Sequence, residues 1–519
     1  MTVPEIERRR VAVQGRLDQL KTAQERNVLG QFATPSALAT SMARYAWGLF
    51  SESESVRFID PAIGTGSFLS ALLAAAPPGR DFAAAGVELD RAFADAASSL
   101  WGQTQLQLTR GDFTKQPTPL ESDSFNLILT NPPYVRHHHL EALDKRRLQE
   151  RVWSQLGIKM SGLAGLYAYF LLLADAWLSN GGFGIWLVPS EFMDVNYGRA
   201  VKEYLAQRVS LRHIHRFLPN DVQFDDALVS SAIVVFQKTR PAPGANVRMS
   251  LGGALDSPIA SQDVPLTELV AVRKWTAFPR ASNCRPTDAG IVLGDLFTIK
   301  RGLATGDNSF FILPRARARE IGIPEECLKP IMPSPRFMHD VIVEADADGY
   351  PQIQEPHALI DCTYSETEIQ SRFPPFWAYL KRGADRGVNR RYITSRRDPW
   401  YSQEKRAPAP FLCSYMGRAR NGRKPFRFFL NRSQAIAANV YLLLYPKNAL
   451  AAQLKSTPGL DLAILEVLQS VTAEAFIAEG RVYGGGLYKM EPAELAFLPA
   501  DEIAGILEVR PTVQPMLFG

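Results

Sequence analysis

Leu127-Ile128-Leu129-Thr130-Asn131-Pro132-Pro133-Tyr134 decides how the rest of the chain is read. Phe125 to Leu129 is an apolar run of the length of one buried strand. It stops at Asn-Pro-Pro-Tyr, where two prolines can neither donate to a ladder nor enter a helix interior, so the backbone is held extended. An amide side chain, a carbonyl and an aromatic ring are thereby set at the carboxyl end of a strand, where ligands bind in open α/β sheets. This set suits methylation of an exocyclic amine, a poor nucleophile whose lone pair is delocalised into its ring. The Asn131 side-chain oxygen and the Pro132 carbonyl can hold the two amine hydrogens and favour the pyramidal form that attacks. Tyr134 can stack on a base extruded from a duplex. The plainer alternative is a Pro-Pro turn with a capping asparagine.

Upstream, Val56 to Ile59 reads as a strand, Asp60-Pro61-Ala62-Ile63-Gly64-Thr65-Gly66-Ser67 as a glycine loop, and Phe68 to Ala76 as a helix. The dinucleotide fingerprint is excluded because Leu69 stands at its third glycine, and a P-loop because no Gly-Lys-Ser/Thr follows. A pyrophosphate wants bare N–H groups at a helix start, and an aspartate would repel it. Asp60 instead suits a cationic ligand such as the amino group of S-adenosylmethionine, with Gly64 and Gly66 letting the backbone approach closely. A second strand, Ala84 to Val87, ends at Glu88, a carboxylate placed for ribose hydroxyls. A third, Leu106 to Leu108, ends near Asp112 and Phe113, which suit an adenine amino group and ring. Further upstream, residues 3 to 28 read as a polar helix, and Thr34-Pro35-Ser36 starts another, continuing from Ala37 to Leu49.

Phe-Ala-Thr-Pro at 32–35, the glycine loop, Glu88, Asp112-Phe113 and Asn-Pro-Pro-Tyr, in this order, resemble the γ-class, TaqI-like DNA adenine-N6 methyltransferases over residues 26 to about 240. Gly306 to Phe311 and Gly484 to Lys489 are more loosely similar to segments of the family's recognition domains. The resemblance implies a Rossmann-like, S-adenosylmethionine-dependent α/β domain with a mixed seven-stranded sheet, followed by a C-terminal α+β target-recognition domain. It implies cofactor contacts from Thr34, Asp60, Pro61, Ala62, Gly64, Gly66, Glu88, Asp112 and Phe113, and catalysis at Asn131, Pro132, Pro133 and Tyr134. Phe224 matches the aromatic that meets the flipped base.

The remaining chain bounds the alternatives. At 519 residues it holds two or three domains. No run of eighteen apolar residues appears, and the charged N-terminus lacks a signal-peptide core, so a cytoplasmic protein without a membrane span is expected. None of Cys284, Cys327, Cys362 and Cys413 follows a proline, which excludes the thiolate of a cytosine-C5 enzyme. The cytosine-N4 pattern usually has serine in place of Asn131. His137, His138 and His139 lack partners at ligand spacing, and no metal is expected.

Leu166 to Leu178 reads as an apolar helix ended by Asn180-Gly181-Gly182, and Phe183 to Val188 and Val229 to Phe236 as strands. Pro241 to Asn246 is the strongest linker signal, giving a catalytic domain over 1–240 and a recognition domain over 247–519. Beyond it, Phe310 to Leu313 and Val440 to Leu444 read as short strands. From Arg372 to Arg432 sixteen Lys or Arg stand against three acids, a net of +13 in a chain of net +5, interleaved with aromatics. This strip, with Arg390, Arg391, Arg396, Arg397, Arg418, Arg420 and Arg423, reads as a surface for the phosphates of double-stranded DNA.

The expectation is a monomeric DNA adenine-N6 methyltransferase of a restriction–modification or related defence system, with any cognate endonuclease a separate chain. About thirty residues before the Thr-Pro motif are too few for a fused nuclease. The alternatives are an rRNA or protein-glutamine methyltransferase, since both families use Asn-Pro-Pro-Tyr, and a non-catalytic specificity subunit.

Overall fold

The computed structural model describes residues 2–104, 106–218, 223, 230–279, 290–418, 424–472, 476, 481–483 and 487–507. The chain divides into two compact units, one formed mainly by residues 1–284 and the other mainly by the remainder.

The first unit carries a nine-stranded sheet: β1 (Val56–Asp60), β2 (Phe82–Glu88), β3 (Leu106–Arg110), β4 (Phe125–Thr130), β5 (Leu178–Pro189), β6 (Ser210–Arg216), β7 (Ser231–Gln237), β8 (Asn246–Gly253) and β9 (Pro258–Pro265). Their spatial order is β3-β2-β1-β4-β5-β7-β6-β8-β9. The five from β3 to β5 run parallel, and β7 is antiparallel to both its neighbours. Helices α1 (Val3–Gln19), α2 (Ala23–Leu29), α3 (Ser36–Trp47), α4 (Ser67–Ala75), α5 (Arg91–Trp101), α6 (Ala142–Leu156), α7 (Leu166–Leu173) and α8 (Arg199–Gln207) belong to the same unit. The β1, β2 and β4 segments are short, mostly apolar and largely buried, as strands covered on both faces must be, whereas β3 at the sheet edge is largely exposed. β1 pairs with β2 on one side and β4 on the other, so the chain order reverses there, the switch point at which such sheets bind ligands.

Four sequence expectations change. The sheet has nine strands rather than seven, because Pro241 to Asn246 is a turn inside the first unit. β8 lies parallel to β6 and antiparallel to β9, burying Val247, Met249 and Val264. The unit therefore extends well past residue 240; a Pro/Gly-rich loop marks a chain reversal whether or not a domain ends there. The polar helix of residues 3–28 is two helices. The Thr22 hydroxyl accepts from the Glu25 N–H at 3.2 Å and the Glu25 carboxylate from the Thr22 N–H at 2.7 Å, a capping box that starts α2 afresh. The apolar helix ends at Leu173, and Lys238 Nζ donates to the carbonyls of Asp175 and Leu178 at 2.5 and 2.9 Å in the turn that follows. Gly181, at φ +82°, sits inside β5 as an irregularity rather than capping a helix. In the second unit, Phe310 and Phe311 complete a helical turn capped by Asp307, and the strand begins only at Ile312.

That unit is α+β. Its five-stranded sheet runs, in spatial order, Phe297–Arg301, Tyr441–Pro446, Phe411–Ser414, Phe428–Asn431 and Ile342–Val343. Ile312–Pro314, His357–Ile360 and Leu328–Ile331 form a separate three-stranded sheet, next to which Phe310, Phe376 and Tyr401 are buried in one cluster. Among the described residues no helix is long and apolar enough to cross a membrane.

Candidate active site

Adjacent parallel strands deliver their acids and the asparagine in one row. Asp112 lies just beyond β3, Glu88 ends β2, Asp60 ends β1 and Asn131 follows β4. Three strand spacings separate the ends of this row, about 14 Å. A cavity of about 570 Å³ runs along it, lined by all four of these residues together with Thr34, Pro61, Ala62, Gly64, Phe113 and Pro133.

The glycine loop is stitched down before any ligand arrives. Asp60 Oδ1 accepts from the Ala62 N–H at 3.0 Å and the Thr130 hydroxyl at 2.6 Å. Burial pushes the Asp60 carboxyl up to about 7 against these bonds, so a nearby cation would be well received. Glu88 accepts from the Gly64 N–H at 2.9 Å through one oxygen and from the Asp90 N–H at 2.7 Å through the other. Its carboxyl is raised, chiefly by burial. The two glycines differ. A Cβ on Gly64 would meet nothing within 4 Å, whereas one on Gly66 would stand 2.4 Å from Trp101 Nε1. Gly64 thus leaves room for a ligand; Gly66, at φ +90°, is required by the indole whose N–H donates to the Thr65 carbonyl at 2.9 Å.

Asn131 is the most informative group. Its Nδ2 donates to the Phe32 carbonyl at 3.0 Å and the Thr34 hydroxyl at 3.2 Å. A carbonyl oxygen can only accept, so Phe32 fixes which end of the amide faces it. Asn131 Oδ1 is buried with no hydrogen-bond partner, a costly state for an acceptor unless something else comes to donate. Thr34, expected as a cofactor contact, lines the cavity and also orients this side chain. Gly30 makes the arrangement possible. Its carbonyl accepts from the Tyr134 N–H at 3.0 Å, and a Cβ there would lie 2.4 Å from the Tyr134 nitrogen.

Tyr134 departs from its expected pose. It is only 6% exposed, its hydroxyl donates to the Leu187 carbonyl at 3.0 Å, and its ring centroid lies 5.7 Å from that of Phe32 and 6.4 Å from that of Tyr167. In this conformation the ring packs, and a base could stack on it only after a face is uncovered. Phe113 lines the cavity but is itself packed 5.2 Å from both Phe170 and Trp177. Asp112 Oδ1 accepts from the Thr114 N–H and hydroxyl, while Oδ2 lies 3.7 Å from Lys115 and 3.9 Å from Arg147. His137–His139 form a single 3₁₀ turn, and His139 reaches the cavity.

Sequence reasoning missed two cations. Arg10 of α1 is 2% exposed, paired with Glu7 at 2.7 Å and donating to the Thr65 and Ser67 hydroxyls at 3.2 and 2.8 Å, so the first helix clamps the glycine loop. Its signal in the sequence is Glu7 three residues before Arg10, a spacing that a solvated helix face shares. Arg147 of α6 donates to the Thr114 carbonyl and hydroxyl at 2.9 and 3.0 Å, fastening α6 beside Asp112.

The expected phosphate-binding arginines divide. Arg390, Arg396 and Arg418 are exposed. Arg391, also exposed, pairs with Asp307 at 3.0 Å, and half-buried Arg397 donates to the carbonyls of Ala304 and Thr305 at 2.7 and 3.0 Å. Phe224, Arg420, Arg423 and Gly484 to Gly486 lie outside the described residues.

Two family models match. The Eco57I restriction-modification methylase covers residues 87–224, and the C-terminal domain of type II methyltransferase M.Eco57I covers 282–512. Type II methyltransferase M.XamI of Xanthomonas campestris pv. amaranthicola is 29% identical, over 90% of this chain and 84% of its own. Type II methyltransferase M.AccI of Acinetobacter calcoaceticus is 25% identical, over 91% and 85%. By these matches the chain is similar to methyltransferases of type II restriction–modification systems. The type IIL restriction-modification enzyme MmeI, solved in complex with DNA, shares its fold over 96% of this chain and 78% of that one, with a TM-score of 0.59 at 12% identity. The lining of the cavity fits S-adenosylmethionine. A carboxylate row, an open cradle at Gly64 and a waiting acceptor at Asn131 are what a cationic methyl donor and an amine acceptor require.

Proposed function

We propose that this methyltransferase belongs to the γ class and transfers the methyl group to N6 of adenine in duplex DNA after the target base leaves the helix. The observation that carries the reading is the unpartnered, buried Asn131 Oδ1, held in place through its own amide nitrogen. An exocyclic amine donating to Asn131 Oδ1 and the Pro132 carbonyl turns its lone pair out of the ring plane. When bound, S-adenosylmethionine supplies an electrophilic methyl on a sulfonium centre. Asp60 receives the ammonium of its amino-acid end, Glu88 the ribose hydroxyls, and Asp112 with Phe113 the adenine. Asn131 gains most as positive charge develops on the attacking nitrogen, so its contribution falls on rate more than on binding. Tyr134, uncovered, and Phe224 flank the flipped base. The enzyme acts as a monomer in the cytoplasm, as the modification partner of a separate endonuclease, with the second unit recognising the target.

The test is single-turnover methylation of duplex DNA carrying the enzyme's own site, with the modified nucleoside identified by mass spectrometry. N6-methyladenine from wild type and almost none from Asn131→Ala, with DNA binding retained, is the expected result. A methyl found on cytosine N4, RNA or protein, or a wild-type rate from Asn131→Ala, overturns the proposal.

A further inference from the structure

The arginines of the second unit differ in what they are doing, and the difference isolates one short loop. Helix Pro374–Asp385 is followed by Gly387 at φ +76°, and two 3₁₀ turns, Val388–Arg390 and Thr394–Arg396, complete the segment. It is fastened from inside. Thr394 is fully buried, and its hydroxyl donates to the Val388 carbonyl and, at 3.2 Å, to that of Arg391. Arg391 reaches the Gly306 carbonyl at 3.2 Å and Asp307 at 3.0 Å, while Arg397 holds the carbonyls of Ala304 and Thr305. These two arginines are committed to anchoring the loop.

What the loop displays is unusual. Tyr392 is 76% exposed, among the most exposed large side chains described. The Arg396 guanidinium carbon stands 3.5 Å from the centre of its ring, and Nη1 donates to the Tyr392 carbonyl at 3.4 Å. A guanidinium laid on an aromatic face keeps the in-plane N–H donors other than Nη1 available at its edge and has already given up much of its rotamer freedom. A phosphate contact needs only a point charge and gives no account of an aromatic platform left in water. A paired donor edge matches O6 and N7 of guanine in the major groove.

We propose that Tyr392 and Arg396 form a preassembled base-reading unit, in which Arg396 reads one guanine of the recognition site. This rests on the proposed action on a defined site in duplex DNA. Neighbouring Arg390, exposed and unstacked, serves as a phosphate contact.

The test maps methylated positions by long-read sequencing of DNA from hosts expressing wild type, Arg396→Ala, Arg396→Lys, Tyr392→Ala and Arg390→Ala, alongside the salt dependence of DNA binding. A wild-type motif containing a G·C pair is expected. Arg396→Ala should relax it at that one position, with discrimination there falling roughly ten- to a hundredfold. Lys should fail to restore it, since it lacks the paired edge, and Tyr392→Ala should relax the same position less. Arg390→Ala should keep the motif and flatten the salt slope by about 0.9. Thermal melting of each variant confirms the fold. If wild type methylates a DNA motif without a G·C pair, or if Arg396→Ala keeps the motif and only flattens the salt slope, the base-reading unit is overturned while the methyltransferase reading stands. If wild type leaves DNA unmethylated, both fall together.

Discussion

The cavity of the first unit and the arginine-rich loop of the second use polar side chains in opposite ways. The amide nitrogen of Asn131 is engaged twice while its buried oxygen is left over; around Thr394, Arg391 and Arg397 are tied to an acid and to carbonyls while Arg390 and Arg396 face water. The first arrangement concentrates electrostatic effect at one atom, where low dielectric magnifies it. The second spreads charge over a surface, where water and salt weaken each contact. A substitution should therefore act steeply in the cavity and shallowly on the loop.

The steepest expected effect is at Asn131. Removing one preorganised partner of a transition state costs about 10²–10³ in rate, and Asn131→Ala should lose that much in single-turnover methylation. Asn131→Asp should lose less, because a carboxylate still accepts. Equal, small losses at Asn131 and at Arg390 would erase the contrast between the two regions.

Arg10 comes next. Its removal takes the cation from Glu7, which keeps the Ser36 hydroxyl at 2.6 Å, and frees the glycine loop, and Arg10→Met should destabilise the protein by roughly 2 kcal/mol, short of a fully buried pair because Glu7 is partly exposed. Urea denaturation measures this. The KM for S-adenosylmethionine should rise several-fold as well, whereas a loop-clamping role is refuted by an unchanged KM.

Thr34→Val tests whether the amide of Asn131 needs both its acceptors. The Phe32 carbonyl remains, so the loss should be that of one hydrogen bond, about 1 kcal/mol or roughly fivefold in rate. Thr34→Ser should be close to wild type.

Asp60 gives a pH signature. Its carboxyl is raised in the folded protein to about 7, from 3.8, so the folded state holds the proton more tightly. The stability contributed is full below the unfolded value and is lost as pH rises through about 7. Wild type should thus weaken relative to Asp60→Asn between pH 4 and 7, by urea midpoints at a series of pH values. A difference independent of pH would show that burial of Asp60 is not felt.

The smallest effects are expected on the loop. Arg391→Ala and Arg397→Ala should lower the melting temperature with little change in the salt slope of DNA binding, because both guanidinium groups are already engaged, Arg391 by Asp307 and Arg397 by the carbonyls of Ala304 and Thr305. If they flatten that slope as Arg390→Ala does, these contacts give way when DNA binds.

Much of the first unit was legible because its signals are local. An apolar run stopped by Asn131-Pro132-Pro133 forces a strand end, and an acid after each of β1 and β2 lands on the same edge of a parallel sheet. Linker and helix boundaries were less legible. Pro241 to Asn246 has the composition of a domain linker but turns the chain into β8, and Leu166 to Leu178 has the composition of one helix but breaks after Leu173 into the start of β5. Composition reports where a chain bends, not what it packs against afterwards. The charge strip shows the same limit, since sixteen cations in sixty-one residues do not reveal which face inward.

The sequence by itself determined which edge of the sheet carries the row of acids and Asn131, and the order of those groups, because strand period, proline and glycine act within a few residues. Only the tertiary structure decided that the Phe32 carbonyl and Thr34 orient Asn131 from ninety-nine and ninety-seven residues away, that Gly66 answers to Trp101, that Tyr134 is turned inward, and that Arg397 holds a carbonyl while Arg396 lies on a ring. Those outcomes depend on which distant groups compete for each buried donor and acceptor, and that competition is settled only when the chain has closed on itself.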